Sequence, residues 1–305
     1  MEQYLSTIEN YPPLLPPSLT KLEQAILQTV SYGDVFNYPV TLAEIHRYLE
    51  GIEATQAEVV DVLANGSLLP HFLAHQDGFY MLAGREDILT TRRKRAAISQ
   101  QLWPAAIRYG RFISHLPFVR MVTLTGSLAM NNVTKDADID YLIVTGNGRL
   151  WLARAFIIII VRLAARQGIV LCPNYILSER ALQFPDENLY AARELAQMMP
   201  ISGLESYQKM RQANRWANKF LPNATGAPAT HFATTRPSWL QKLLELPFRT
   251  PLGNWLESWE MRRKIRKFKH QHINSETSFC PDWCKGHFDG HQENTLFAYE
   301  TRLRQ

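Results

Sequence analysis

Thr123-Leu124-Thr125-Gly126-Ser127-Leu128-Ala129-Met130 and Asp138-Ile139-Asp140, with ten residues between Ser127 and Asp138, form the stretch that decides how this chain folds. The runs on either side, residues 118–124 and 139–145, are apolar and β-branched and predict two strands. A strand that runs into Gly-Ser and a short helix presents backbone N–H groups suited to a polyphosphate. Glycine permits close approach, and Ser127 adds a hydroxyl donor. Side chains alternate along a strand, so Asp138 and Asp140 share one face while Ile139 points into the core. Two carboxylates side by side are the oxygen ligands that a hard divalent cation takes.

A plainer reading is an exposed strand face carrying Asp136, Asp138 and Asp140 after an ordinary Gly126-Ser127 turn. Three acids on one short face repel one another, and only Lys135 stands beside them. A bound cation accounts for that cost.

A strand, Gly-Ser, a ten-residue gap and Asp-x-Asp on the next strand resembles the motif of the nucleotidyltransferase superfamily, the DNA-polymerase-β-like fold. Minimal nucleotidyltransferases, antibiotic nucleotidyltransferases and CCA-adding enzymes belong to it, and the resemblance covers about residues 118–180. It implies that Gly126 and Ser127 bind a nucleoside triphosphate (NTP). It also implies that Asp138 and Asp140 are catalytic and hold Mg2+ or Mn2+. The implied reaction moves a nucleoside monophosphate to an acceptor hydroxyl and releases pyrophosphate. The acceptor itself is not legible.

The family also implies a third carboxylate on a later strand. The corresponding run here, Val170-Leu171-Cys172-Pro173-Asn174-Tyr175-Ile176-Leu177, offers Asn174, which we take as a third metal ligand. An amide oxygen binds metal weakly and cannot act as a general base. Glu179 and Glu194 are the substitutes, though each reads more readily as a surface acid. The alternatives are a catalytically impaired nucleotide-binding or regulatory protein, suggested by Asn174, and a winged-helix nucleic-acid-binding protein, suggested by the basic clusters at 92–95 and 262–269.

Around this centre the sequence predicts an α+β chain in four parts. Residues 18–85 read as a winged-helix-like domain. A helix carries Leu22, Ala25, Ile26, Thr29 and Val30 at helical spacing, and two more are opened by Thr41/Glu44 and Thr55/Glu58 capping boxes. A hairpin over 68–82 turns at Gln76-Asp77-Gly78. Such folds place their last helix in the major groove of DNA. Here that helix carries Glu58 and Asp61 and no Lys or Arg, so nucleic acid is the less favoured partner. Residues 86–117 read as a helical connector, broken or kinked at Pro104. Residues 118–187 form the nucleotidyltransferase core, a mixed sheet with a helix over 149–167 and a strand over 169–177. Residues 188–305 are expected to be a helical region.

The bulk numbers bound the rest. At 305 residues and 46% hydrophobic content the chain is long enough for more than one core. Three cysteines, Cys172, Cys280 and Cys284, cannot pair fully, which fits a reducing compartment and a cytoplasmic address. The start lacks a basic stretch followed by an apolar run, and the run 155–161 is far shorter than the roughly 20 residues a bilayer needs, so no membrane partner is expected. The net charge of +5 includes basic clusters at 92–95 and 262–269, which read as solvated helix faces. Cys280, Cys284, His287 and His291 are zinc-ligand types at helical spacing, but Pro281, Gly286 and Gly290 argue against one helix, and a packed C-terminal turn is favoured. Lys285 and His287 as phosphate ligands, Trp151, Trp216, Tyr175 and Tyr207 as base-stacking residues, and Arg193, Arg211 and Arg215 as triphosphate contacts complete the weaker candidates.

Overall fold

The structure, a computed structural model, describes residues 18–135, 137–228, 239–268, 277–286 and 291–304. Asp136, His287 and Gly290 lie outside the described residues. The chain divides into two compact units, and the boundary falls after Arg92.

The first unit contains α1 (Lys21–Val35), β1 (Val40–Thr41), α2 (Leu42–Arg47), α3 (Gln56–Asn65), β2 (Leu73–Gln76) and β3 (Phe79–Leu82). The helices start where the sequence says they should. Thr41 and Glu44 exchange side-chain and backbone hydrogen bonds at the head of α2, and Thr55 and Glu58 do the same for α3. Thr20 and Glu23 form a further box at α1 that the sequence reading missed. The hairpin turns through Asp77 and Gly78, both at positive φ, and gives a three-stranded sheet of order β1-β3-β2. Its first strand begins at Leu73, so Leu68 and Leu69 precede the sheet. Arg92, one of the supposed solvated cations, is buried, lying 3.6 Å from the Tyr38 ring centroid and 3.0 Å from Glu44 Oε1.

Distant sequence completes this unit. Asn223 donates to the carbonyls of His46 and Ala54 at 2.9 and 2.8 Å. Tyr299 donates to Glu50 at 2.6 Å and Arg302 to Asp34 at 2.6 Å. Residues 218–225 and the chain from Glu293 onward thus belong with the N-terminal elements and not with the helical stretches around them.

The second unit is built on a six-stranded mixed sheet. A long helix, α4 (Ile88–Ser114), runs into it with Pro104 accommodated inside a continuous helix. Then follow β4 (Val119–Leu124), α5 (Gly126–Ala129), β5 (Ile139–Thr145), α6 (Leu150–Ala165), β6 (Leu171–Ser178), α7 (Leu189–Gln197), β7 (Met199–Ser202) and α8 (Leu204–Ala213). After these come α9 (Trp239–Glu245), α10 (Pro251–Phe268), β8 (Thr277–Phe279) and β9 (Trp283–Gly286); α11 (His291–Leu303) follows in sequence and belongs from Glu293 onward to the first unit. The strand order is β7-β4-β5-β6-β9-β8, antiparallel except for the β5–β6 pair, which α6 bridges. Residues 188–305 therefore do more than supply helices: β7, β8 and β9 are half of the sheet. The core gathers Val122, Leu124, Tyr141 and Ile143 from the strands with Trp151 and Ile157 from α6. Tyr141 fixes α4 to it by donating to the Ala106 carbonyl at 2.6 Å.

Candidate functional site

β4 ends at Leu124, and the next residue, Thr125, donates its N–H to the Asp140 carbonyl at 3.0 Å. Gly126 follows at φ +65°, in the left-handed region that favours glycine. Its Cα lies so close to the Asp140 carboxylate that a side chain would overlap Oδ2. Glycine is thus favoured by the backbone, and a side chain there would also displace the acid beside it. Ser127 is half-buried next to it, and its carbonyl accepts from Asn132 N–H at 2.8 Å. α4 steadies the loop that follows: Trp103 Nε1 donates to Asn131 at 2.6 Å and Arg95 to Asn132 at 3.2 Å. A pair of asparagines in a loop carries no periodic signal, so the sequence reading passed over both.

Asp138 stands just before β5 and Asp140 within it, with Ile139 buried between them. Carboxylate oxygens of Asp138 and Asp140 and the Cys172 sulfur all lie within 4.8 Å of one another. Ligand atoms at about 2.1–2.6 Å from one divalent ion are separated by at most about 4–5 Å, so small side-chain rotations would bring the two acids onto a shared cation. Parallel pairing sets Cys172 opposite Asp140, and the register shifts immediately afterwards, where Leu142 faces Tyr175. Pro173 sits in this irregularity, where a missing N–H is tolerated. There Asn174 donates Nδ2 to Asp140 Oδ1 at 2.6 Å and accepts the Cys172 thiol at 2.7 Å. Asn174 therefore acts on Asp140 and spends its amide oxygen on Cys172 instead of offering it outward.

The electrostatics are those of a site short of positive charge. Burial, then the neighbouring Asp138 and Glu194, push the Asp140 carboxyl up to about 8, against the bonds from Asn174 and Cys172. Burial and the same two aspartates raise the Cys172 thiol, so it remains protonated and a poor ligand. Glu194, on α7, is pushed up to about 7 by burial, with the Lys285 charge pulling it back. The donor set is thus two carboxylates with a third close enough to be felt, which fits a hard cation such as Mg2+ better than a thiolate-seeking one.

No protein-family model, curated protein or solved structure matches the chain. The chemistry of these side chains therefore carries the functional reading.

Glu194, which the sequence presented as a surface acid, instead lines a cleft. Tyr175, Phe184, Tyr190 and Trp283 form its aromatic walls, and Lys285 and Asp186 approach each other within it at 3.5 Å. Tyr175 and Phe184 stack with their ring planes 4° apart, and Lys285 Nζ sits 5.4 Å from the Tyr175 centroid. Of the aromatic candidates, only Tyr175 is placed to meet a ligand here. Trp151, Trp216 and Tyr207 are buried in the body of the unit, and Arg193 is buried too. Arg215 is exposed in a short helical turn beyond α8. Lys285 is buried at the cleft; its proposed companion His287 is outside the described residues. Cys280 and Cys284 belong to the β8–β9 hairpin, while His291 opens α11, so these three do not share a helix face.

Proposed function

We propose that this chain is a nucleotidyltransferase of the DNA-polymerase-β-like kind, transferring a nucleoside monophosphate from an NTP to an acceptor hydroxyl. One observation carries the reading: the Gly126 backbone lies directly against the Asp140 carboxylate, and the Asp138 carboxylate is within 4.8 Å of it. The glycine-serine segment and the two acids thus converge on one place, where the phosphates and their cation would have to meet. Asp138 and Asp140 would hold Mg2+ or Mn2+, which supplies charge neutralisation for the triphosphate. Gly126 lets the polyphosphate approach the backbone, and Ser127 offers its hydroxyl to it. Asn174 positions Asp140 through the 2.6 Å bond.

Glu194, one of the two substitutes the sequence offered for the missing carboxylate, fills that role. A carboxyl held near 7 is half-ionised at neutral pH and accepts the proton of an attacking hydroxyl. The acceptor oxygen bonds to the α-phosphorus, the bond to the pyrophosphate oxygen breaks, and the proton passes to Glu194. The acceptor would approach from the side of Tyr175, Tyr190 and Glu194. The N-terminal unit we read as winged-helix-like; Glu58 and Asp61 are exposed on its third helix, which favours a protein contact over a DNA groove.

A second reading, a triphosphate-binding protein without turnover, is favoured by Asn174 alone. Incubation with α-labelled NTPs, magnesium and a panel of hydroxyl acceptors separates the two. Pyrophosphate release that Glu194→Gln suppresses supports transfer. Nucleotide binding without release supports the second reading, and binding unchanged in an Asp138→Ala/Asp140→Ala variant removes the site altogether.

A further inference from the structure

Residues 239–267 are folded inside out. On α9 two polar side chains face inward: Gln241 and Glu245 are each 1% exposed, whereas Trp239 is 76% exposed, with Leu240, Leu243 and Leu244 beside it. Hydrogen bonding explains the inversion. Gln241 donates to the carbonyls of Leu116 and Val119 at 2.7 and 2.8 Å. Glu245 accepts from Phe118 N–H at 2.8 Å and from both Arg120 nitrogens at 2.7 and 3.1 Å. α10 repeats the pattern. Glu257 accepts the N–H groups of Trp151 and Leu152 at the head of α6, each at 2.8 Å, while Leu252, Trp255 and Trp259 point to solvent. Eight of the fifteen exposed large hydrophobics among the described residues fall within residues 239–259.

Charge is sorted in the same way. Every acid between 239 and 267, namely Glu245, Glu257 and Glu260, is buried. Every exposed charge there is positive: Lys242, Arg262, Arg266 and Lys267, with Arg249 and Arg263 paired to the buried Glu245 and Glu260. Trp255 and Trp259 stack at 6.4 Å, and Arg263 lies 5.3 Å from the Trp259 centroid, so aromatic and cationic groups are interleaved.

We propose that the outward face of α9 and α10 docks on an anionic lipid bilayer, with its tryptophans and leucines in the headgroup boundary and its lysines and arginines on the phosphates. Helices that lie in a membrane interface combine Trp and Leu on one surface with flanking basic residues. Anionic headgroups match a surface that exposes cations and no acid. A second copy of the chain docked face to face would set these cations against their own kind. No helix of the described residues is long and apolar enough to cross a membrane, so the attachment is peripheral.

The test is co-sedimentation of the full chain with vesicles of phosphatidylcholine alone and of phosphatidylcholine with phosphatidylserine. Binding to the anionic vesicles should be at least about tenfold tighter and should weaken with salt. Trp255→Ser/Trp259→Ser and Arg262→Gln/Arg266→Gln/Lys267→Gln should each lower it by about tenfold or more. These side chains are exposed, and circular dichroism checks that helix content is kept. Quenching of the native tryptophans by brominated lipid reads the same contact without any variant. Absence of enrichment on anionic vesicles at low salt overturns the proposal, as does equal binding to neutral ones. A dimer in sedimentation equilibrium that Trp255→Ser splits also overturns it, in favour of a second copy of this chain.

Discussion

The Asp138–Asp140 site and the inner side of α9–α10 both bury carboxylates, and they surround them with opposite partners. Burial pushes Glu245 up, but Arg120, Arg249 and the Phe118 N–H outweigh it and hold the group below the usual carboxylate range. Glu257, raised by burial, is met by two backbone N–H groups of α6. Asp140 has one amide and one thiol, and its closest charged neighbours are other acids. A buried acid surrounded by donors is a fastening. A buried acid surrounded by acids either keeps its proton or takes a cation, and on the function proposed above it takes a cation.

The comparison breaks most decisively if Asp138 and Asp140 are dispensable. Asp138→Ala/Asp140→Ala should reduce nucleotidyl transfer by about a thousandfold or more, the scale on which charge stabilisation of phosphoryl transfer acts, measured as pyrophosphate release. On the other side, Glu245→Ala should leave Arg120 and the Phe118 N–H without their acceptor and cost about 3 kcal/mol in chemical denaturation. If Glu245→Ala proved neutral, the fastening account would fail.

Glu194→Gln should lower kcat by about a hundredfold with KM for the NTP nearly unchanged, and should remove the ionisation near 7 from the pH–rate profile. The Asp140 carboxyl, at about 8 in the fold against 3.8 unfolded, binds its proton more tightly when folded. Stability of the metal-free protein should therefore fall as pH rises from about 4 to 8, and added magnesium should oppose the fall. Asp140→Asn should flatten that slope and raise the metal-free melting temperature at pH 8 by a few degrees, about 2–4 °C for each kcal/mol relieved. The smallest effect belongs to Trp255→Ser, whose side chain is exposed: stability should change by less than about 0.5 kcal/mol.

Much of the local structure was legible because its causes are local. The Thr41/Glu44 and Thr55/Glu58 boxes, the Asp77-Gly78 turn and the alternation around Ile139 each depend on residues within four positions of one another. The convergence of Asp138 and Asp140 follows from the same alternation; Gly126 was singled out for the approach of a polyphosphate, and the contact it makes in the fold is with the Asp140 carboxylate. Glu194 was legible only as a substitute that read more readily as a surface acid, because nothing in its own helix distinguishes a surface acid from one turned into a cleft. α9 misleads in the opposite direction: its leucines have the spacing of a core stripe, yet Gln241 and Glu245 take the inward side.

The sequence by itself determined the helix starts, the hairpin, the β4–β5 segment and the pair of acids that faces one way. Tertiary structure alone decided that β7, β8 and β9 complete the sheet, that residues from Glu293 onward return to the N-terminal unit, and that Glu194 and Lys285 line one cleft. The reason is range. Capping and alternation act over a few residues, whereas strand pairing and the satisfaction of buried polar groups join partners about a hundred positions apart, such as Tyr175 with Lys285 and Phe118 with Glu245.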